Sequence, residues 1–395
     1  MKIKRTHMEY LCVFIGVLGM GSLYFQILRM PIMIVMLLGA SFIMVYCNNF
    51  QLTKTNIRLY MGLIVSLVLT SLINYKNGFR INELIILVTN VTYIVILQDF
   101  ISFRKFTKIY TQIMLAEAMI SLMCFVWGDI LGKSIPFMKL EFNRLNGFYL
   151  TPFYTLGWAN NPVFGRNAGM FNEPGSHQIF LNFALLFLLC ADDNFDMKPS
   201  RYRASIILLI ITIFTTLSTT GFICLGVVLL TVSLKKREND RNTKLKLAAL
   251  VLLIILYVVE SQTGVIQTKI AGRDSGGSFY TRYNDTLGGF SGAFQNPIAG
   301  IGYFSTNKTQ SLQHYGIDNI SNGLASFAMN AGIIITIVLL IMMFKSLSKK
   351  MPYGTVFIIG VFILYFLCVN SEGVFMNLLF LSMLGDWNTR EIAYN

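Results

Sequence analysis

Runs of apolar residues about as long as a bilayer is thick recur along this chain, and they restrict it to folds whose backbone polar groups are satisfied within the membrane. A spanning helix needs roughly 17 to 25 largely apolar residues. Hydrocarbon offers no water to an unpaired N–H or C=O, so helices and closed barrels are the structures that cross it. Apolar cores lie near 10–28, 31–47, 57–73, 84–98, 109–127, 176–191, 204–218, 221–234, 245–260, 323–344, 353–370 and 374–386. The run 204–234 reads as two crossings, because LSTTG sets hydroxyls and a glycine at its middle. With 54% hydrophobic and 13% charged residues and a mean hydropathy of +0.60, a soluble globular fold is excluded. The expected fold is all-α: a polytopic membrane protein of about twelve transmembrane helices, forming one integral membrane domain over residues 1–395.

Charge orients the bundle. With a cytoplasmic N-terminus, the turns at 1–9, 48–58, 99–108, 192–203, 235–246 and 345–352, and the tail, face the cytoplasm, and these hold roughly two thirds of the 32 Lys and Arg. The net charge of +13 is then a topology signal with attraction to anionic lipid. No basic, aromatic-interleaved stripe points to nucleic acid. Two long segments, 128–175 and 261–322, are left outside. They are rich in aromatics, among them Phe148, Tyr149 and Trp158 in the first and Tyr280, Tyr283 and Tyr303 in the second. Aromatic faces in a wet loop suit sugar rings, although for any single residue an interfacial belt is the better reading.

The first loop ends in GRNAGMFNEPGSHQIFLNF, residues 165–183. Pro174 marks a helix entrance, since its missing N–H would be unpaired there. The helix dipole turns its positive end toward the preceding loop and favours an anion. Arg166 is a candidate for holding that anion, or for contacting lipid headgroups. Glu173 reads as a catalytic carboxylate or as a helix cap. His177 lies one turn further on, as a catalytic group or a hydrogen-bonded interfacial residue. The second loop offers Arg282 and Arg273 as further anion ligands and His314 as its sole histidine. Glu117 stands within the fifth apolar run, where an ionisable group is costly; it implies a polar interior or a hydrogen bond to a neighbouring helix.

Absences narrow the chemistry further. HExxH, Walker A, GxSxG and dinucleotide glycine motifs are missing. Three histidines, six cysteines without a CxxC and no paired external carboxylates leave no evident metal site, and no cofactor is expected. An anionic ligand would have to be neutralised by arginines and helix N-termini.

Four segments carry a resemblance. RNAGMFNEPGSHQIFLNFAL resembles the R-x-x-G-x-F-x-E-P-G entrance of repeat-unit polymerases in the O-antigen and capsular polysaccharide pathways. FTTLSTTGFICLGVV is similar to their Ser/Thr-rich turn between two spans, with Thr220 where the related ligases more often carry arginine. SFYTRYNDTLGGFSGAFQNPIAGIGY resembles their R…W…NP-hydrophobic-G-x-G segment without its tryptophan, and ISNGLASFAMNAGIIITI resembles their entry into the next span. There Ser321-Asn322 replaces His-Asn, which favours polymerase over ligase. The resemblance covers roughly residues 140 to 345 and implies a metal-independent glycosyltransferase of the bacterial plasma membrane. Its substrates would be undecaprenyl-pyrophosphate-linked oligosaccharides, joined at the outer face into capsule, O-antigen or another exopolysaccharide. It further implies pathway partners, a chain-length regulator and a flippase, and no nucleic acid. Arg166, Arg282 and Arg273 would bind pyrophosphate, with Glu173 as base and His177 and His314 in reserve. The alternatives are a polysaccharide ligase of the same superfamily and a lipid-oligosaccharide flippase or other transporter.

Overall fold

The computed structural model describes residues 5–22, 30–47, 52–133, 138–142, 145–151, 154–155, 157–158, 161–162, 165–191, 194–235, 278–306, 320, 322–372 and 375–388. The chain divides into two compact units, each built from separated stretches of sequence. Among the described residues three helices, Lys54–Ile73, Ile81–Phe100 and Phe103–Ile130, are long and apolar enough to cross a membrane, and further apolar helices are shorter.

The first unit comprises Met1–Thr53, Thr92–Val228 and Asp386–Asn395. It contains α1 (Arg5–Gly21) and α2 (Met30–Cys47). 

Here α3 is Lys54–Ile73, which belongs to the other unit, and α4 is Ile81–Phe100, whose second half lies in this one. They are followed in the first unit by α5 (Phe103–Phe125), α6 (Pro174–Cys190), α7 (Pro199–Thr215) and the start of α8 (Thr219–Ser233). Ser102 opens α5 by accepting the Lys105 N–H at 3.4 Å, and a π turn over Val126–Ile130 closes it. Every residue of α6 from Ser176 to Cys190 is buried, as a helix apolar on all sides requires. Tyr110 and Thr111 of α5 donate hydroxyl hydrogens to the Phe180 and Ala184 carbonyls of α6, at 3.0 and 3.5 Å. Tyr110, Phe187, Phe106 and Trp387 continue that contact as a chain of tilted and edge-on rings.

Between α7 and α8 the helix stops at Thr216, and Leu217 adopts a left-handed φ of 47°. Two helices therefore occupy 204–234, as LSTTG implied. The described fold is helical, as the all-α reading expects, apart from short strands added by the first loop. This loop forms β1 (Met138–Phe142), β2 (Leu145–Thr151) and β3 (Tyr154–Thr155) as an antiparallel sheet, and β4 (Gly157–Trp158) pairs with β5 (Asn161–Pro162). Aromatic and β-branched residues separated by Asn, Gly and Pro favour such hairpins, and a hydropathy reading does not register them.

The second unit comprises Lys54–Val91 and Leu229–Gly385. Besides α3 it holds α9 (Ser278–Gln295), α10 (Gly323–Ala331), α11 (Ile333–Lys350), α12 (Thr355–Ser371) and α13 (Leu378–Leu384). The expected single span 323–344 is two helices, because Gly332 sits at φ 92° between α10 and α11. The expected span at 245–260 lies outside the described residues. Segment 296–306 docks by backbone bonds: Ile301 N–H to Met329 O at 2.9 Å, Ile334 N–H to Pro297 O at 3.1 Å and Arg80 N–H to Phe304 O at 2.7 Å. On α11, Ile334, Ile337, Val338 and Ile341 form an exposed apolar stripe at helical spacing. Water disfavours such a face and lipid does not, which agrees with a membrane location.

Candidate functional site

The residues 165–177 fold as a tight loop that drops into the head of α6, inside the first unit. Asp129, at the end of the π turn, gathers the approach to it. Its Oδ1 accepts the Gly165 N–H at 3.0 Å, and its Oδ2 accepts the Tyr154 hydroxyl. Burial, reinforced by the Asp129 carboxylate, pushes the Tyr154 hydroxyl well above its ordinary pKa, so it stays a donor. Arg166 follows, half-buried, with Nε donating to the Thr216 carbonyl at 3.1 Å. This ties the arginine to the turn between α7 and α8.

Beneath Arg166 the chain is anchored by polar groups enclosed in the helices. Asn167 is fully buried; its N–H donates to the Thr215 carbonyl at 2.9 Å and its amide nitrogen to the Thr215 hydroxyl at 3.1 Å. Its Oδ1 accepts the Gly169 N–H at 2.9 Å. Glu117 of α5 accepts the Met170 N–H through Oε1 at 3.2 Å and meets His177 Nε2 through Oε2 at 2.8 Å. His177 Nδ1 lies 3.2 Å from the Asn167 carbonyl, and Phe171 stacks on its ring at 5.3 Å. Gly169 has φ 54°, and a Cβ there would stand 2.0 Å from Glu117 Oε1. Only glycine lets the backbone come this close in that conformation.

Glu173 is the N-cap residue of α6, yet its side chain makes no cap hydrogen bond. Its backbone carbonyl instead accepts the Ser176 and His177 N–H groups, both at 3.1 Å. Pro174 occupies the first helical position as expected. The carboxylate of Glu173 is partly exposed, whereas His177 is wholly enclosed, with both ring nitrogens engaged.

The structure thus brings Arg166, Glu173 and His177 onto one loop and helix entrance. Arg282 belongs to α9 of the second unit, and its side chain lies outside what the structure describes. Arg273 and His314 also lie outside the described residues. Asn322 caps α10, accepting the Ala325 N–H at 3.0 Å, and donates to Thr286 and Asn370, both at 2.9 Å. Asn167 was missed by the sequence reading, although its place beside Arg166 in a glycine-bounded turn was a signal. Glu117 was noticed but not joined to the site, because only folding sets it opposite His177. Among the described residues no three His, Cys, Asp or Glu stand close enough to share a metal ion. Comparisons with protein-family models, curated proteins and solved structures found no match to this chain.

Proposed function

We propose that this chain is a membrane polysaccharide polymerase that joins undecaprenyl-pyrophosphate-linked oligosaccharide units at the outer face of the plasma membrane. The observation that carries the reading is the folded R-x-x-G-x-F-x-E-P-G loop. It sets a half-buried arginine and an uncapped glutamate at one helix entrance, over a buried polar anchor. In the reaction, a hydroxyl of the incoming unit attacks the anomeric carbon of the growing chain, and the bond from that carbon to lipid pyrophosphate breaks. Arg166, assisted by the positive end of α6, stabilises the leaving oxygens. Arg282 is proposed to share that role, with Arg273 as auxiliary. Glu173 takes the hydroxyl proton, for which it needs to come within hydrogen-bond reach of the acceptor. His177 is enclosed, so its part is to hold the loop. His314 remains a reserve base. About twelve crossings, cytoplasmic termini and outward-facing loops complete the proposed arrangement.

Deletion of the gene followed by sizing of membrane glycans tests the reading. Loss of long chains with single lipid-linked units retained is the expected result. Long lipid-linked chains that stay unattached would indicate a ligase, and units confined to the cytoplasmic leaflet would indicate a flippase.

A further inference from the structure

We infer that Glu117 is a positioning residue of the site, acting on the reaction through Arg166. The inference rests on the proposed polymerase reading. A carbonyl oxygen only accepts, so the hydrogen-bond network assigns a hydrogen to His177 Nδ1, facing the Asn167 carbonyl. His177 Nε2 and Glu117 Oε2, 2.8 Å apart, then share one proton between them. The remaining oxygen, Oε1, accepts the Met170 N–H at 3.2 Å. One carboxyl group from α5 therefore grips the loop twice, directly at Met170 and through the imidazole at Asn167. Asn167 is the immediate neighbour of Arg166 and is itself pinned to Thr215. Arg166 in turn bonds Thr216, the next residue along. The place of the guanidinium is set by this frame.

The frame also explains the cost of keeping a carboxyl 3% exposed within an apolar helix. Packing alone would be served by a leucine of similar volume, without desolvating an ionisable group. Glutamine has a different status. Its amide can donate to His177 Nε2 and accept from Met170, so it reproduces both grips with the imidazole neutral.

The test measures polymerisation in membranes from cells expressing each variant at matched levels, with purified lipid-linked repeat units as substrate. Glu117→Gln should keep most of the activity. Glu117→Leu should lower kcat by about a hundredfold, the scale of a misplacement near 1 Å, with KM for the lipid-linked unit little changed. The deciding measurement is the double variant. If Glu117 acts through Arg166, Glu117→Leu combined with Arg166→Lys is no slower than Arg166→Lys alone. Multiplicative losses would overturn the inference, and so would wild-type kcat in Glu117→Leu. Should Glu117→Leu fail to insert, Gly169→Ala supplies the same cycle, because its Cβ presses on Glu117 Oε1. A fully active Arg166→Lys would instead remove the polymerase reading of Arg166, which separates the two failures.

Discussion

Arg166 and Glu173 differ in how firmly the fold holds them, and that difference sets what their substitutions should do. The guanidinium of Arg166 is oriented by its Nε bond to the Thr216 carbonyl. Lysine keeps the charge but loses this directed N–H and the planar fork that binds phosphate oxygens in pairs. Arg166→Lys should therefore reduce the polymerisation rate by about a hundredfold, equivalent to about 3 kcal/mol of transition-state stabilisation, while expression stays normal. Chain lengths on a sizing gel check this; wild-type lengths would assign the residue to headgroup contact. At Glu173 the missing cap bond separates two roles that the sequence left even. With no side-chain cap to lose, Glu173→Gln should leave the thermal midpoint of the solubilised protein within a degree or two, given the small effect expected of such surface changes. Turnover should nevertheless fall to background if the carboxylate is the base. A variant that is active but less stable would restore the cap.

At the scale of elements, breaks matter as much as helices. Hydropathy marked the two runs that became α7 and α8 because hydroxyl residues interrupt them, and Leu217 makes the break in a left-handed conformation. It missed the interruption between α10 and α11, since a glycine among apolar residues barely alters an average over a window. What makes Gly332 a break is tertiary: at φ 92°, a Cβ there would stand 2.7 Å from the Ile298 carbonyl, on the segment packed beside it. Gly332→Ala should thus be strongly destabilising, by about 2 kcal/mol or more from backbone strain and crowding together. A lowered thermal midpoint in detergent, with loss of fully inserted protein, is the expected result; an unchanged midpoint would show that the break tolerates a side chain. The strands of the first loop were hidden for a related reason. Their short, alternating segments carry little hydropathy signal, and the antiparallel pairing from Met138–Leu150 to Phe142–Leu145 exists only once the loop folds.

For the whole molecule, the proposed membrane orientation rests on the distribution of charge and can be checked directly. Lys133→Cys and Thr306→Cys both mark exposed positions within the segments expected outside. Placed singly in a background without the six native cysteines, each should react with a membrane-impermeant thiol reagent in intact cells. Protection of both until lysis would reverse the topology. Polymerisation in washed membranes should also persist under strong chelation, because the proposed site neutralises pyrophosphate with arginine; abolition with rescue by a divalent cation would contradict that arrangement. Much of the molecule was determined by sequence alone: its apolar helices, the helix entrance at Pro174 and the gathering of Arg166, Glu173 and His177 within twelve positions. These are properties of neighbouring residues, and burial in lipid depends on local composition. Only the tertiary structure decided that Glu117, sixty residues before His177, closes on it from another helix. The same holds for Asn167 joining Thr215 and for Glu173 standing at a cap position without capping. A buried polar group takes whichever partner the packed helices bring within reach, and no local pattern in the chain specifies which one that will be.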